Sequence, residues 1–121
     1  MELAWSAVDL QAEAERVMAA CQAPGEKPAE LARRGRAVVG GYFELREAVR
    51  SRPESPEADA LARLLNYHQQ VVEQSLLFAF GVPGPRDRRE LARQFSPTLG
   101  PPAAELRELV VHLWLEAPAV R

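Results

Sequence analysis

Side chains suited to proton transfer or nucleophilic attack are scarce in this chain, which has two histidines and one cysteine. His68 has Arg63 five positions before it. An imidazole can transfer a proton, and a guanidinium can stabilise negative charge that develops beside it. His68 also falls on an apolar stripe of helical period, where a buried histidine usually bonds to a backbone carbonyl or a neighbouring side chain. His68 is therefore either a catalytic candidate together with Arg63 or a structural residue of the core.

The segment Arg63-Leu-Leu-Asn-Tyr-His68 resembles the R-x4-H motif of HEPN-domain ribonucleases, and the resemblance is confined to this segment. Members of that family are small helical bundles that act as dimers, with the arginine and histidine lining a cleft at the dimer interface. The resemblance implies a metal-independent ribonuclease in which Arg63 stabilises charge on the phosphorane and His68 transfers the proton. The family usually has a polar residue after the arginine, where this chain has Leu64.

A second candidate site is a basic cluster on a segment whose spacing predicts a short helix over residues 87–95. Its members are Arg86, Arg88, Arg89 and Arg93. Arginines grouped in this way can contact the phosphates of a nucleic acid. Asp87 and Glu90 dilute the positive charge, and the alternative is that these arginines are the solvated side of an amphipathic helix.

Other common site patterns do not occur in the sequence. It has no Gly-x-Ser-x-Gly, Walker or dinucleotide-binding glycine motif, so we expect no cofactor. Glu108, His112 and Glu116 share a helical face, but such a face is usually solvated, and we expect no metal site. Cys21 lies on an apolar stripe with no histidine near it in sequence, which is typical of a small core residue. The net charge of −2 excludes a global basic field for nucleic acid.

Helical periodicity extends through almost the whole chain, and no strand pattern occurs. The spacing predicts an all-α fold: a compact bundle of four to five helices with short Pro/Gly loops, forming one domain over residues 1–121. The first helix starts at Ser6 or one turn earlier and ends before Pro24. The later helices are predicted over residues 28–50, 56–80, 87–95 and 102–116.

Proline, serine and glycine mark how these helices begin and pack. Pro28 and Pro56 suit the first position of a helix, and Ser55 is placed to cap the third one. Gly35 lies on the apolar stripe of the second helix, which favours close packing of another helix against it. Gly40 and Gly41 permit either close packing or a kink.

The predicted helices carry more apolar surface than one small bundle needs. The third helix is apolar over more than one face, so we expect it to be central. In the last helix, Trp114 is predicted to face inward with Leu106, Leu109, Val110 and Leu113. Outside the main stripes lie Val39, Phe43, Val111 and Leu115, which are therefore candidate interface residues.

Three functions are open at this point. The first is a non-catalytic protein–protein interaction or assembly module, a helical bundle that forms a homodimer or joins a larger complex. The second is the HEPN-like ribonuclease that uses Arg63 and His68. The third is a small subunit that contacts nucleic acid through the basic cluster. The lone cysteine and the absence of a signal peptide or a long apolar segment predict a soluble cytoplasmic protein with no role in a membrane. The excess apolar surface of the helices predicts that the protein is not a monomer.

Overall fold

The computed structural model describes residues 2–23, 27–81, 90, 93–94 and 98–116. Within these ranges the regular elements are helices: α1 (Glu2–Gln22), α2 (Pro28–Arg50), α3 (Pro56–Gly81) and α4 (Pro101–Glu116). The predicted all-α class is confirmed, and these four helices agree with the predicted four to five. The short helix predicted over residues 87–95 lies largely outside the described residues, although Glu90, Arg93 and Gln94 are helical. Among the described helices, none combines the length and apolar character needed to cross a membrane.

The helix ends follow local sequence signals. The backbone N–H of Ala58 donates to Ser55 Oγ at 3.0 Å, so Ser55 caps α3 as predicted. Pro28 is the first residue of α2. The helix α1 begins at Glu2, which is the earlier of its two predicted starts. Gly100 precedes α4 with a φ of 73°, in the left-handed region that a residue with a Cβ rarely adopts.

The four helices form a bundle in which α1 and α3 occupy the central positions. Each of these two helices contacts the three others, whereas α2 and α4 do not contact each other in the described part of the chain. The prediction that the third helix is central therefore agrees with the packing, and α1 shares that position. Arg46 bonds to Gln69, and Gly35 packs against Leu76, so α2 and α3 run antiparallel.

The direction of α4 follows from its contacts with α1. Leu3 and Leu113 line one cavity, whereas Met18 lines another cavity together with Leu99 and Ala103. The beginning of α1 therefore lies beside the end of α4, and the two helices are antiparallel.

The core consists of the inward stripes of all four helices, including Val17, Val38, Leu65 and Leu106, which are at most 1% exposed. Close packing at Gly35 is confirmed. A Cβ built on Gly35 would lie 2.7 Å from Leu76 Cδ1 and still closer to Cδ2, so any larger residue here would require the end of the Leu76 side chain to move.

The inward orientation predicted for Trp114 is wrong, because this side chain is 56% exposed. The helix α4 packs against α1 and α3 alone among the described helices, so the arc of its surface that becomes covered is narrow. Leu106 and Val110 lie within that arc and are at most 1% exposed. Trp114 lies beyond its edge, on the same side of α4 as Arg107.

Candidate functional site

A buried hydrogen-bond network joins three helices at the centre of the bundle. Gln11 of α1 lies 2.9 Å from His68 Nε2 of α3, measured from Gln11 Nε2. The same amide nitrogen donates to the carbonyl oxygen of Ala103 in α4 at 3.1 Å. Arg107 of α4 donates to Gln11 Oε1 at 3.0 Å. Gln11 thus connects α1, α3 and α4 with a single side chain.

The partners of Gln11 determine the proton position on His68. Arg107 can only donate and the Ala103 carbonyl can only accept, so they fix which end of the Gln11 amide carries its N–H groups. One of these groups therefore donates to His68 Nε2. His68 Nδ1 lies 2.7 Å from the carbonyl oxygen of Leu64 and donates to it. His68 is consequently neutral, with its proton on Nδ1.

The electrostatic environment of His68 agrees with this protonation state. The imidazole is 0% exposed, and burial is the main cause that lowers its pKa from the ordinary 6.5. The hydrogen bond to the Leu64 carbonyl and the charge of Glu15 act in the opposite direction, whereas the charge of Arg107 lowers the pKa further. The Tyr42 ring packs beside the imidazole, with their centroids 5.7 Å apart.

Two further polar groups are buried along the same core. Tyr42 Oη and Ser75 Oγ are inaccessible and have no hydrogen-bond partner in the described part of the chain. Burial raises the pKa of the Tyr42 hydroxyl, and the charge of Glu15 adds to this effect. The Tyr42 hydroxyl therefore remains protonated at neutral pH, and both hydroxyls are closed off from an external substrate.

Arg63 and His68 do not form a common cleft within the chain. Arg63 is exposed on α3, whereas His68 faces the core. Residues five positions apart on a helix are separated by about 140° around its axis, so the two side chains leave α3 in different directions. Both ring nitrogens of His68 are also occupied by hydrogen bonds. His68 therefore has the environment of a structural core residue, which is one of the two alternatives stated for it.

Three residues of the predicted basic cluster, Arg86, Arg88 and Arg89, lie outside the described residues. Arg93 is exposed and forms an ion pair with Glu90 at 3.0 Å. Contact with nucleic acid stays a prediction.

The candidate interface residues divide into two groups. Phe43 on α2 is 52% exposed, and Val111 and Leu115 on α4 are 53% and 67% exposed. Val39 is partly buried and packs against the core one turn before Phe43. Because α2 and α4 do not contact each other in the described residues, the four side chains do not form one patch.

Val111 and Leu115 lie on one side of the bundle. We define the α1–α4 face there as Trp5, Val8 and Ala12 of α1 together with Val111 and Trp114 of α4. The contacts of Arg107 with Gln11 and Glu15 set the register of the two antiparallel helices. The next two turns of α4 therefore run beside the preceding turns of α1. Trp5 is 47% exposed and Trp114 is 56% exposed, and Leu115 extends the surface outward.

Val39 and Phe43 belong to a second surface. We call it the α2–α3 face and define it as these two residues together with Leu76 and Phe80. Polar side chains interrupt this surface. Arg46 donates to Gln69 at 2.9 Å, and Gln69 donates to Glu73 at 2.9 Å.

The sequence interpretation missed two participants, Gln11 and Trp5. Gln11 left a signal, because it falls between Ala7 and Ala14 on the apolar stripe of α1. A polar side chain at such a position needs a buried partner. Trp5 lies on the outer side of the same helix, and no local pattern relates it to α4.

Within the described ranges, no three His, Cys, Asp or Glu side chains are grouped so that they could hold a metal ion. Comparison of the chain with models of protein families, with curated proteins and with solved structures finds no match.

Proposed function

We propose that this protein is a non-catalytic interaction module that forms a homodimer through the α1–α4 face. The observation that carries the proposal is the exposure of Trp5, Val111 and Trp114, which are 47%, 53% and 56% accessible on adjoining turns of two helices. Exposing large apolar side chains together is unfavourable in water, and such a patch on a protein surface usually marks a contact site.

The α1–α4 face is favoured over the α2–α3 face because of where the polar groups lie. Covering the α2–α3 face would also desolvate Arg46, Gln69 and Glu73, which bond to one another across it. On the α1–α4 face, the charged pair Glu15–Arg107 lies at one end of the patch, with its closest atoms 3.9 Å apart. A partner can therefore cover the tryptophans without placing this pair in the middle of the patch.

The apolar area is compatible with a dimer. A fully covered aromatic side chain buries about 150–250 Å², so the exposed halves of Trp5 and Trp114 offer roughly 100 Å² each. Together with Val111 and Leu115 the apolar contribution reaches roughly 400 Å², about half of the ~800 Å² that one partner supplies in a standard interface. Apolar atoms make up a little over half of such interfaces, so the surrounding polar side chains supply the rest.

A second copy is the partner because the pattern along α4 is complementary to itself. In a two-fold dimer centred near Val111, the two α4 helices cross in opposite directions. Arg107 of one copy then lies opposite Trp114 of the other. A guanidinium over an indole ring is a favourable contact, and both side chains are exposed enough to make it.

Sedimentation equilibrium of Val111→Glu and Phe43→Glu tests this proposal. The two positions are 53% and 52% exposed and lie on different faces, so they are matched in exposure and in the charge that is introduced. We expect the unaltered protein and Phe43→Glu to be dimers at micromolar concentration and Val111→Glu to be a monomer, because the new carboxylate would have to be desolvated.

Circular dichroism serves as the control that both variants remain folded. A monomeric unaltered protein would refute self-association. Dissociation by Phe43→Glu with Val111→Glu still dimeric would refute the α1–α4 face and place the contact on α2 and α3.

A further inference from the structure

Gln11 connects His68 on α3 with two groups of α4 by hydrogen bonds. Its amide has one orientation that satisfies every partner, because Arg107 supplies donors and the Ala103 carbonyl is an acceptor. In that orientation an N–H group points at His68 Nε2 at an N···N distance of 2.9 Å. A proton added to Nε2 would place two donors against each other.

We propose that His68 and Gln11 form an acid-sensitive latch that holds α4 on the bundle and that protonation of His68 releases α4. Relief of the clash between the two donors requires the Gln11 amide to rotate. Rotation by half a turn points its oxygen at the Ala103 carbonyl and its N–H groups at Arg107. Both of the hydrogen bonds that are lost belong to α4, so the change on α3 is transmitted to a different helix.

Charged and titratable groups face His68 from each helix around it. They are Glu15 on α1, Tyr42 on α2, Tyr67 on α3 and Arg107 on α4. The Tyr42 hydroxyl has a raised pKa and stays neutral as the pH falls, and Arg107 remains cationic. Glu15 is the single anion in this group, and it is half exposed, with 52% of its side chain accessible. No buried carboxylate among these groups is placed to neutralise an imidazolium.

The direction of the pH effect follows from the lowered pKa of His68 in the folded protein. Above the ordinary pKa of 6.5 the imidazole is neutral whether α4 is docked or released, and the latch is intact. As the pH falls below 6.5, the released state binds a proton that the docked state excludes. The release equilibrium therefore increases, by at most about tenfold between about pH 7.5 and about pH 5.5.

The helix α4 is the element expected to respond first. It contacts α1 and α3 and has no contact with α2 in the described part of the chain. In contrast, α2 and α3 are joined by the close approach at Gly35 and by the Arg46–Gln69 bond, neither of which involves His68.

Amide hydrogen exchange at about pH 7.5 and at about pH 5.5 tests the latch. The rates are corrected for the intrinsic pH dependence of exchange. Use of the Val111→Glu background keeps the measurement separate from dimerisation. We expect protection of α4 to fall several-fold on acidification, while protection of α2 changes less. The His68→Gln substitution should abolish the difference, because the new amide oxygen can accept from Gln11 and does not titrate in this range.

Two further variants make the result decisive. His112→Gln lies on the exposed side of α4 and should leave the acid response intact. Gln11→Glu places a carboxylate against Nε2 and should move the His68 titration, followed by NMR, to higher pH; this result does not depend on the folding of His68→Gln. An acid response that persists in His68→Gln, an equal loss of protection in α2 and α4, or an unchanged titration in Gln11→Glu would each overturn the proposal.

Discussion

Replacement of Gly35 by alanine tests how closely α2 and α3 approach each other. The added Cβ would lie 2.7 Å from Leu76 Cδ1 and 3.1 Å from Cγ, and it would overlap Cδ2. The end of the Leu76 side chain must therefore move. Gly40 lies in the same helix, and a Cβ there would meet nothing within 4 Å. Gly40→Ala is consequently a matched control with the same change in helix propensity.

The two substitutions should differ in their effect on stability. Alanine in place of glycine within a helix stabilises it by about 0.5–1 kcal/mol, which is the gain expected for Gly40→Ala. Overpacking typically costs about 1–3 kcal/mol. Leu76 is only partly buried and can move toward solvent, so the lower half of that range, about 1–2 kcal/mol, applies. Gly35→Ala should therefore be less stable than Gly40→Ala by about 1–2 kcal/mol.

Urea unfolding followed by circular dichroism measures this difference as a change in the midpoint at constant slope. Leu76→Ala removes the side chain that the new Cβ would meet. In that background the two glycine substitutions should become equivalent, which gives a coupling energy equal to the packing cost. If Gly35→Ala is as stable as Gly40→Ala in the presence of Leu76, the close approach of α2 and α3 is refuted.

Two other predictions concern the cap of α3 and the buried thiol. Ser55→Ala removes the acceptor for the Ala58 N–H and should destabilise the protein by about 0.5–2 kcal/mol in urea unfolding. The comparison variant is Ser51→Ala, whose exposed hydroxyl donates to the Ala48 carbonyl oxygen at 2.7 Å instead of accepting from an N–H at the start of a helix; its effect should be smaller, and an equal effect of both would contradict the capping role. Cys21 is 3% exposed, and burial raises the pKa of its thiol to about 11 from 9.0, so its thiolate fraction is about a hundredfold lower than that of an accessible cysteine. A disulfide reagent should therefore label it rapidly in urea and very slowly in native buffer, and equally rapid labelling in both would show that the site is open.

The local sequence was sufficient to predict where α2 and α3 begin. Pro28 and the Ser55-Pro56 pair mark the starts of α2 and α3 because their effects depend on the nearest turn of backbone. The apolar stripes were predictable for a similar reason, since helical period depends on the spacing within one segment. The close approach at Gly35 also followed, because a glycine on such a stripe leaves space that another helix can fill.

Contacts between distant segments required the tertiary structure. Gln11 and His68 are 57 positions apart, and their bond depends on α1 and α3 packing side by side. The sequence alone left two roles open for His68, a catalytic one and a structural one. In the tertiary structure, His68 lies on the side of α3 that faces the core, whereas Arg63 faces solvent.

The faces of the bundle were likewise decided by the arrangement of the helices. Trp114 lies near the inward stripe of α4 in sequence, but α4 has neighbours on α1 and α3 alone among the described helices, so the indole remains exposed. Phe43 and Val111 have similar exposure and lie on different faces because α1 and α3 separate α2 from α4. A helix's own sequence determines which of its sides is apolar, whereas the number and position of its neighbours determine how much of that side is covered.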